Sequence, residues 1–338
     1  MNSHSAIELA TRLLNVLETE QRESTYKQAL VIALLQECIS QDARNQVSLL
    51  ALADRFIDMY WHQLDPFTGG ITLTQARRGE PQIPTAIGVL KGLSHAKGKW
   101  RPGRARTSST YRRTQKAVAK AIAQMPATHL QNPGGRGGGR GFIFVSSWLR
   151  KKLTNIELDE HGWHLELLPG VRDSLLEVSS LLLPAIQRLW EQDVRRFNKA
   201  LGEDPSLAGF LFGEDRIALA PLRKPLRELQ SNRCFYCETR LTEDTHIDHV
   251  VPWSRSGIND LANLVLVDPV CNSLKSDALP SGEVLDSATG RSGLEPSIAL
   301  TGWAYDPSRV LATGRTLLRS APVGTRVWGV GGSWEFVS

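Results

Sequence analysis

The window Cys234 to Lys275 reads CFYCETRLTEDTHIDHVVPWSRSGINDLANLVLVDPVCNSLK, and it constrains the fold more than any other stretch. Thr245 to Val251 is β-branched and apolar enough for a strand. Pro252 to Ala262 has the Pro, Ser, Gly, Asn and Asp content of a loop, and Leu264 to Val267 reads as a second strand. Pro269 fits the start of a short helix through about Ala278. Asp248 and His249 are neighbours, which a regular strand would send to opposite faces, so the strand must end or twist there.

The order of polar residues in this frame has chemical meaning. Phosphodiester hydrolysis needs a base for water, a cation to neutralise the pentacovalent phosphate, and a scaffold holding both in line. His249 suits the base, because a neutral imidazole titrates near working pH. Asp248 and the Asn272 carboxamide are hard oxygen donors suited to Mg2+ or Mn2+ with open water positions. The window resembles the HNH nuclease motif, also called the ββα-metal or His-Me finger, with Asn272 replacing the final His. The resemblance implies His249 as general base, with Asp248 and Asn272 as catalytic metal ligands. It implies that Asn263 ties the inter-strand loop to the backbone and so orients His249. Lys275, one helical turn beyond Asn272, is expected within reach of a phosphate. The resemblance covers roughly residues 230 to 280.

Many members of that superfamily resemble zinc ribbons with two Cys-x-x-Cys pairs. Here the first pair is Cys234 and Cys237, but the second reads Asp268-Pro-Val-Cys271. Zinc accepts carboxylate or imidazole as well as thiolate. The fourth ligand of a structural Zn2+ site is therefore Asp268, favoured by its spacing, or His246. Buried, metal-free thiols are the plainer alternative. Cys38 lies in an apolar helical stretch and is expected in the core.

Outside this window, charge is the strongest signal. From Arg77 to Lys152 there are seventeen Lys or Arg and one acid, Glu80, a net of +16 in a chain of net +5, so the remainder is −11. Such a block is the electrostatic footprint of a phosphate-backbone partner. Lys97, Lys99, Arg101, Arg104 and Arg106 flank Trp100 and lead into a predicted helix, Ser108 to Gln124, bearing Arg112, Arg113, Lys116 and Lys120. The run NPGGRGGGRG, Asn132 to Gly141, is neither a Walker loop nor a dinucleotide fingerprint. Either its glycines let backbone amides approach a phosphate with Arg136 and Arg140 beside it, or it is a mobile loop between the basic helix and the strand Phe142 to Val145, the preferred reading.

Ala6 to Leu17, Thr25 to Ile39 and Ser48 to Leu64 have helical apolar spacing, with Ser24 and Ser48 as N-caps and Phe56, Tyr60 and Trp61 as core. Phe142 to Val145, Leu153 to Leu158 and Trp163 to Leu168 resemble strands. Val171 to Leu201 is a long amphipathic helix that Pro184 should break or kink, and the segment VWGVGGSWEF suggests a hairpin. No apolar run is long enough to span a bilayer and no signal peptide is visible, so a cytoplasmic protein without membrane insertion is expected.

The expected fold class is α+β: an N-terminal helical domain with a basic central α/β region, and a C-terminal ββα-metal HNH nuclease domain. The expected divisions are a helical bundle (1–70), a basic nucleic-acid-contacting region (71–168), a helical connector (169–230), the HNH domain (231–280) and a C-terminal extension (281–338). The expected activity is hydrolysis of DNA phosphodiesters. The architecture resembles bacterial anti-phage defence nucleases such as the HNH nuclease of Zorya-type defence. That resemblance implies partner proteins of a defence system at the helical domain. A structured-RNA endonuclease, a homing or mobile-element endonuclease and a non-catalytic zinc-stapled DNA-binding protein stay open.

Overall fold

The computed structural model describes residues 3–19, 22–40, 45–77, 82–96, 108–131, 141–202, 204–212, 219–294 and 303–338. The chain divides into two compact units, Met1–Cys38 with Ala43–Arg216, and Ile39–Asp42 with Ile217–Ser338.

The first unit is helical. Its described elements are α1 (Ser3–Thr19), α2 (Tyr26–Ser40), β1 (Gln46–Ser48), α3 (Leu49–Gln63), α4 (Gln82–Ala96), α5 (Ser109–Ile122), α6 (Asn155–Glu160), β2 (His164–Glu166), α7 (Val171–Phe197) and α8 (Leu207–Phe212). The apolar run of α2, Ala29 to Leu35, is buried all round, as a helix hydrophobic on every face must be. Around this core α1 packs on α7, and α5 packs on α3 and α4. Phe56, Tyr60 and Trp61 of α3 are buried. Ser48 caps α3 by accepting the Ala51 N–H. Ser24 does not cap α2; it bridges to Ala76, while the Thr25 carbonyl takes the first helical amide, that of Ala29.

Further local expectations change as well: Phe142 to Val145 forms only the isolated bridge of Phe144 to Leu167. Leu153 to Leu158 is not a strand, because Thr154 and Glu157 form a reciprocal capping box that starts α6. Pro184 does not end α7, which runs unbroken for 27 residues. Its exposed ring faces solvent, where water can take the freed carbonyl, while Leu182, Leu183 and Ile186 hold the opposite face in the core. The stretch expected as a connector therefore contributes α7 and α8 to the first unit. β1 and β2 pair antiparallel, with Val47 opposite Leu165.

The second unit contains α9 (Arg223–Leu229), β3 (His246–His249), β4 (Leu264–Val267), α10 (Pro269–Lys275), α11 (Gly282–Thr289), α12 (Pro307–Ser320), β5 (Arg326–Trp328) and β6 (Trp334–Phe336). β3 and β4 are antiparallel, with Asp248 opposite Val265 and His249 opposite Leu264. All four β4 side chains are buried. The expected C-terminal extension is part of the same core: Val284, Ala288, Leu294, Trp303 and Trp328 cluster with Leu264 to Val267 and Tyr236. The β5–β6 hairpin forms as expected and is tied in by hydrogen bonds from the Trp328 amide to the Leu279 carbonyl and from the Ser281 amide to the Trp328 carbonyl.

Candidate active site and metal centre

The cysteine pair sits on a tight knuckle whose turn residue Glu238 has φ of 59°. The Cys234 amide bonds the Thr239 carbonyl at 2.9 Å, and the Phe235 amide bonds Leu266 of β4 at 3.1 Å. The Gln230 carboxamide completes the seam, accepting from the Leu266 amide at 2.8 Å and donating to its carbonyl at 2.7 Å. This fastens the knuckle beside the start of α10. There Asp268 is the N-cap: one carboxylate oxygen accepts the Cys271 amide at 2.9 Å.

The other Asp268 oxygen accepts from the Cys237 thiol at 3.2 Å. One ligand atom from each of Cys234, Cys237, Asp268 and Cys271 lies within 4.8 Å of the rest. Three sulfurs and a carboxylate at such spacing fit a tetrahedral zinc site. His246 is not in the group; it is exposed, 3.9 Å from Asp244. Burial pushes the Cys234 thiol up to about 11 and, with Asp268 beside it, raises that of Cys271 further. Burial alone would raise Asp268, but hydrogen bonds from Cys234, from the Cys271 amide and from Cys237 hold it well below the ordinary carboxylate range. The cluster thus concentrates sulfur around a persistent anion, a donor set suited to a cation that displaces the thiol protons.

Asp248 and His249 end β3 and are 8 % and 1 % exposed. Asp248 Oδ2 accepts from the Tyr236 hydroxyl at 2.6 Å and from Lys275 Nζ at 2.9 Å. Burial, then the Asp248 charge, raise the Tyr236 hydroxyl well above its ordinary range, so it stays a donor. Lys275 also donates to the His249 carbonyl at 2.9 Å. This corrects the expectation for Lys275: its ammonium is buried and turned inward onto Asp248 and His249, not outward to a phosphate.

His249 Nε2 lies 2.6 Å from Asn259 Oδ1, and its ring centroid is 5.8 Å from that of Trp253. Asn263 is fully buried. Its Oδ1 accepts the Val251 amide at 2.8 Å, and its Nδ2 donates to the carbonyls of Val251 and Ile258, both at 3.0 Å. That side chain cross-braces the loop after β3. Asn272 is half-buried on α10, which packs on β3, and its carboxamide makes no hydrogen bond among the described residues. Tyr236 and Asn259 are the contributors that the sequence did not single out. Their signals are weak: an aromatic inside a Cys-x-x-Cys and an Asn in a polar loop.

The basic residues belong to the first unit. Arg112, Arg113 and Lys116 are exposed on α5, whose Tyr111, Thr114, Val118 and Ile122 face the core. Lys120, half-buried, donates to Asn155 Oδ1 at 3.1 Å, and the Lys116 ammonium lies 5.5 Å from the Trp163 ring centre. Lys97, Lys99, Arg101, Arg104, Arg106, Arg136 and Arg140 lie outside the described residues. So does the glycine-rich run up to residue 140. At its described edges, buried Gln131 accepts from the amides of Phe142, Ile143 and Phe144 at 2.8 to 3.0 Å. Among the described residues no helix is long and apolar enough to cross a membrane.

Comparison with known families finds two matches. A model described as a domain of unknown function (DUF8808) matches residues 5–207, more than half of the chain. One described as HNH endonuclease matches residues 234–278. No curated protein and no solved structure matches the chain.

Proposed function

Because the chain belongs to the DUF8808 family, whose description assigns no activity, and carries an HNH endonuclease domain at 234–278, we propose that it is a metal-dependent endonuclease hydrolysing DNA phosphodiester bonds. The observation that carries the reading is the joint placement of Asp248, His249, Asn263 and Asn272 on one strand-loop-strand-helix frame.

In this reading His249 is the general base. Asn259 Oδ1 at Nε2 favours the tautomer in which that nitrogen carries the proton and donates it, leaving Nδ1, which is buried, as the basic nitrogen. Asn263 acts through the loop it braces, keeping Val251 and Ile258, and with them the chain after His249, in one conformation. Asp248 and Asn272 would hold Mg2+ or Mn2+. Such an ion supplies charge neutralisation at the phosphate and leaving oxygen when bound. Cys234, Cys237, Cys271 and Asp268 would hold Zn2+, which would have a structural part because the protein can supply all four ligands.

Contact with the DNA backbone is assigned to the basic face of α5, Arg112, Arg113, Lys116 and Lys120. Lys97, Lys99, Arg101, Arg104, Arg106, Arg136 and Arg140 are included on sequence grounds. A place in bacterial phage defence or restriction, in the cytoplasm and with partner proteins at the helical unit, completes the proposal and rests on architecture. Incubation with supercoiled plasmid and Mg2+ or Mn2+, with EDTA controls and a matched RNA, tests it. Nicked or linear plasmid is expected. Retarded but intact DNA would make the protein a binder, and preferential RNA cleavage would replace the substrate.

A further inference from the structure

Asp248 Oδ2 is the meeting point of two donors that both belong to the cysteine staple. Tyr236, 2.6 Å away through its hydroxyl, is the residue just before Cys237 in the Cys-x-x-Cys knuckle; Lys275, at 2.9 Å, is one helical turn after Cys271 on α10. Both are buried, at 2 % and 1 % exposure, so neither is placed to touch a phosphate. Lys275 spends a further donor on the His249 carbonyl, and the Tyr236 ring packs edge-on against Trp328 at 6.1 Å, which limits its own freedom to turn.

A carboxylate that receives two charge-assisted or short hydrogen bonds on one oxygen has lost its rotational freedom, and its second oxygen has one direction left. We propose that Tyr236 and Lys275 are positioning residues that occupy Oδ2 of Asp248 and aim Oδ1 at the catalytic cation, so that the folded cysteine staple sets the affinity for that second metal. The inference rests on the reading of Asp248 as a catalytic metal ligand. Groups that orient a ligand from behind are worth on the order of 10- to 100-fold in metal affinity.

The test uses the full chain and Tyr236→Phe, which keeps the buried ring and deletes the donor. Free Mn2+ is counted by its EPR signal, plasmid nicking is followed across a Mn2+ titration, and zinc per chain is measured by elemental analysis. The expected result is a half-saturating Mn2+ concentration raised on the order of 10- to 100-fold. The rate at saturating Mn2+ should fall by less than that, with zinc content equal to wild type. An unshifted Mn2+ titration with normal zinc would overturn the coupling if Asp248→Ala is inactive. If Asp248→Ala cleaves like wild type, the parent reading of Asp248 fails and the coupling with it. Should Tyr236→Phe lose zinc, Lys275→Gln removes the charged donor from the same oxygen and reads the same quantity. A wild-type titration in that variant overturns the proposal.

Discussion

Asp268 and Cys271 are joined twice: the aspartate accepts the cysteine's amide as the N-cap of α10, and both side chains contribute to one four-ligand cluster. Replacing Asp268 with Asn separates the two functions, because Asn caps a helix about as well as Asp but brings no anion. Without metal, Asp268→Asn should be modestly less stable than wild type, because the amide keeps the cap but no longer accepts the thiol hydrogen bonds that hold the carboxylate ionised. Zinc affinity should fall, and with it the stabilisation by added zinc, which is about 2.7 kcal/mol at a concentration 100-fold above Kd. Equal zinc-dependent shifts in melting temperature for the two proteins would remove Asp268 from the ligand set.

His249→Ala should reduce cleavage on the order of 100- to 10,000-fold and leave DNA affinity near wild type, since it deletes the proposed base and leaves the basic face of α5 untouched. Single-turnover rates and gel retardation on the same preparation separate the two. A drop of under about tenfold means that another group takes the proton.

Asn263→Ala would strand the Val251 amide and the Ile258 carbonyl in a buried loop and leave the Val251 carbonyl only the Ser256 hydroxyl. With each unsatisfied group costing about 1 to 3 kcal/mol, a destabilisation of at least about 2 kcal/mol is expected in urea unfolding. A variant as stable as wild type would show that the loop does not depend on this brace.

Thiol labelling offers a check on the four cysteines. Cys38 is fully buried, and burial raises its thiol to about 12, so it should resist iodoacetamide in the native protein. Chelation of the metal should leave half-buried Cys237 the first to label, Cys234 and Cys271 following as the knuckle opens, and Cys38 only on denaturation. Mass spectrometry after each step counts them. Labelling of Cys38 before denaturation would contradict its buried place in α2.

Replacing Arg112, Arg113, Lys116 and Lys120 with Gln should weaken binding to unrelated DNA sequences about equally. The salt dependence should flatten by up to about 0.9 units of slope for each phosphate that is no longer neutralised. An unchanged slope would mean that the exposed face of α5 serves another partner.

The nuclease window was readable because its spacing encodes its geometry. Loop residues between two apolar runs fix where β3 and β4 pair, and Pro269 after Asp268 fixes where α10 begins. Long helices were also visible, although spacing alone does not say which residues of α1 lie inside: Ile7 is 61 % exposed, while Ala6, Leu9, Leu13 and Leu17 are buried. A helix with apolar residues on adjacent positions has no unique stripe until its neighbour is known. What stayed hidden were long-range partners: Tyr236 for Asp248, Asn259 for His249, and Lys275 turned inward. Their residue types fit many environments, and only the register of knuckle, loop and helix selects among them. Residues 281–338 were opaque for a related reason, since a short hairpin reveals its own turn but not the surface against which it packs.

The β5–β6 hairpin places Gly332, at φ of 74°, so close to the staple that a Cβ there would lie 3.5 Å from Cys271 Sγ and 3.6 Å from Cys237 Cβ. In the order of synthesis, all four ligand residues precede Trp328 by more than fifty positions. At translation rates of about 5 to 20 residues per second, the ligands leave the ribosome seconds before the lid that covers them. Until then the Gly332 backbone is missing from beside Cys237 and Cys271, which leaves that side of the cluster open to oxidation and to other metals. A polypeptide cut short before Trp328 keeps them uncovered, and Tyr236 then lacks the ring that holds its edge. Completion of the HNH domain's core therefore depends on residues remote from its motif, and an interrupted product would carry the motif without the Trp328 packing.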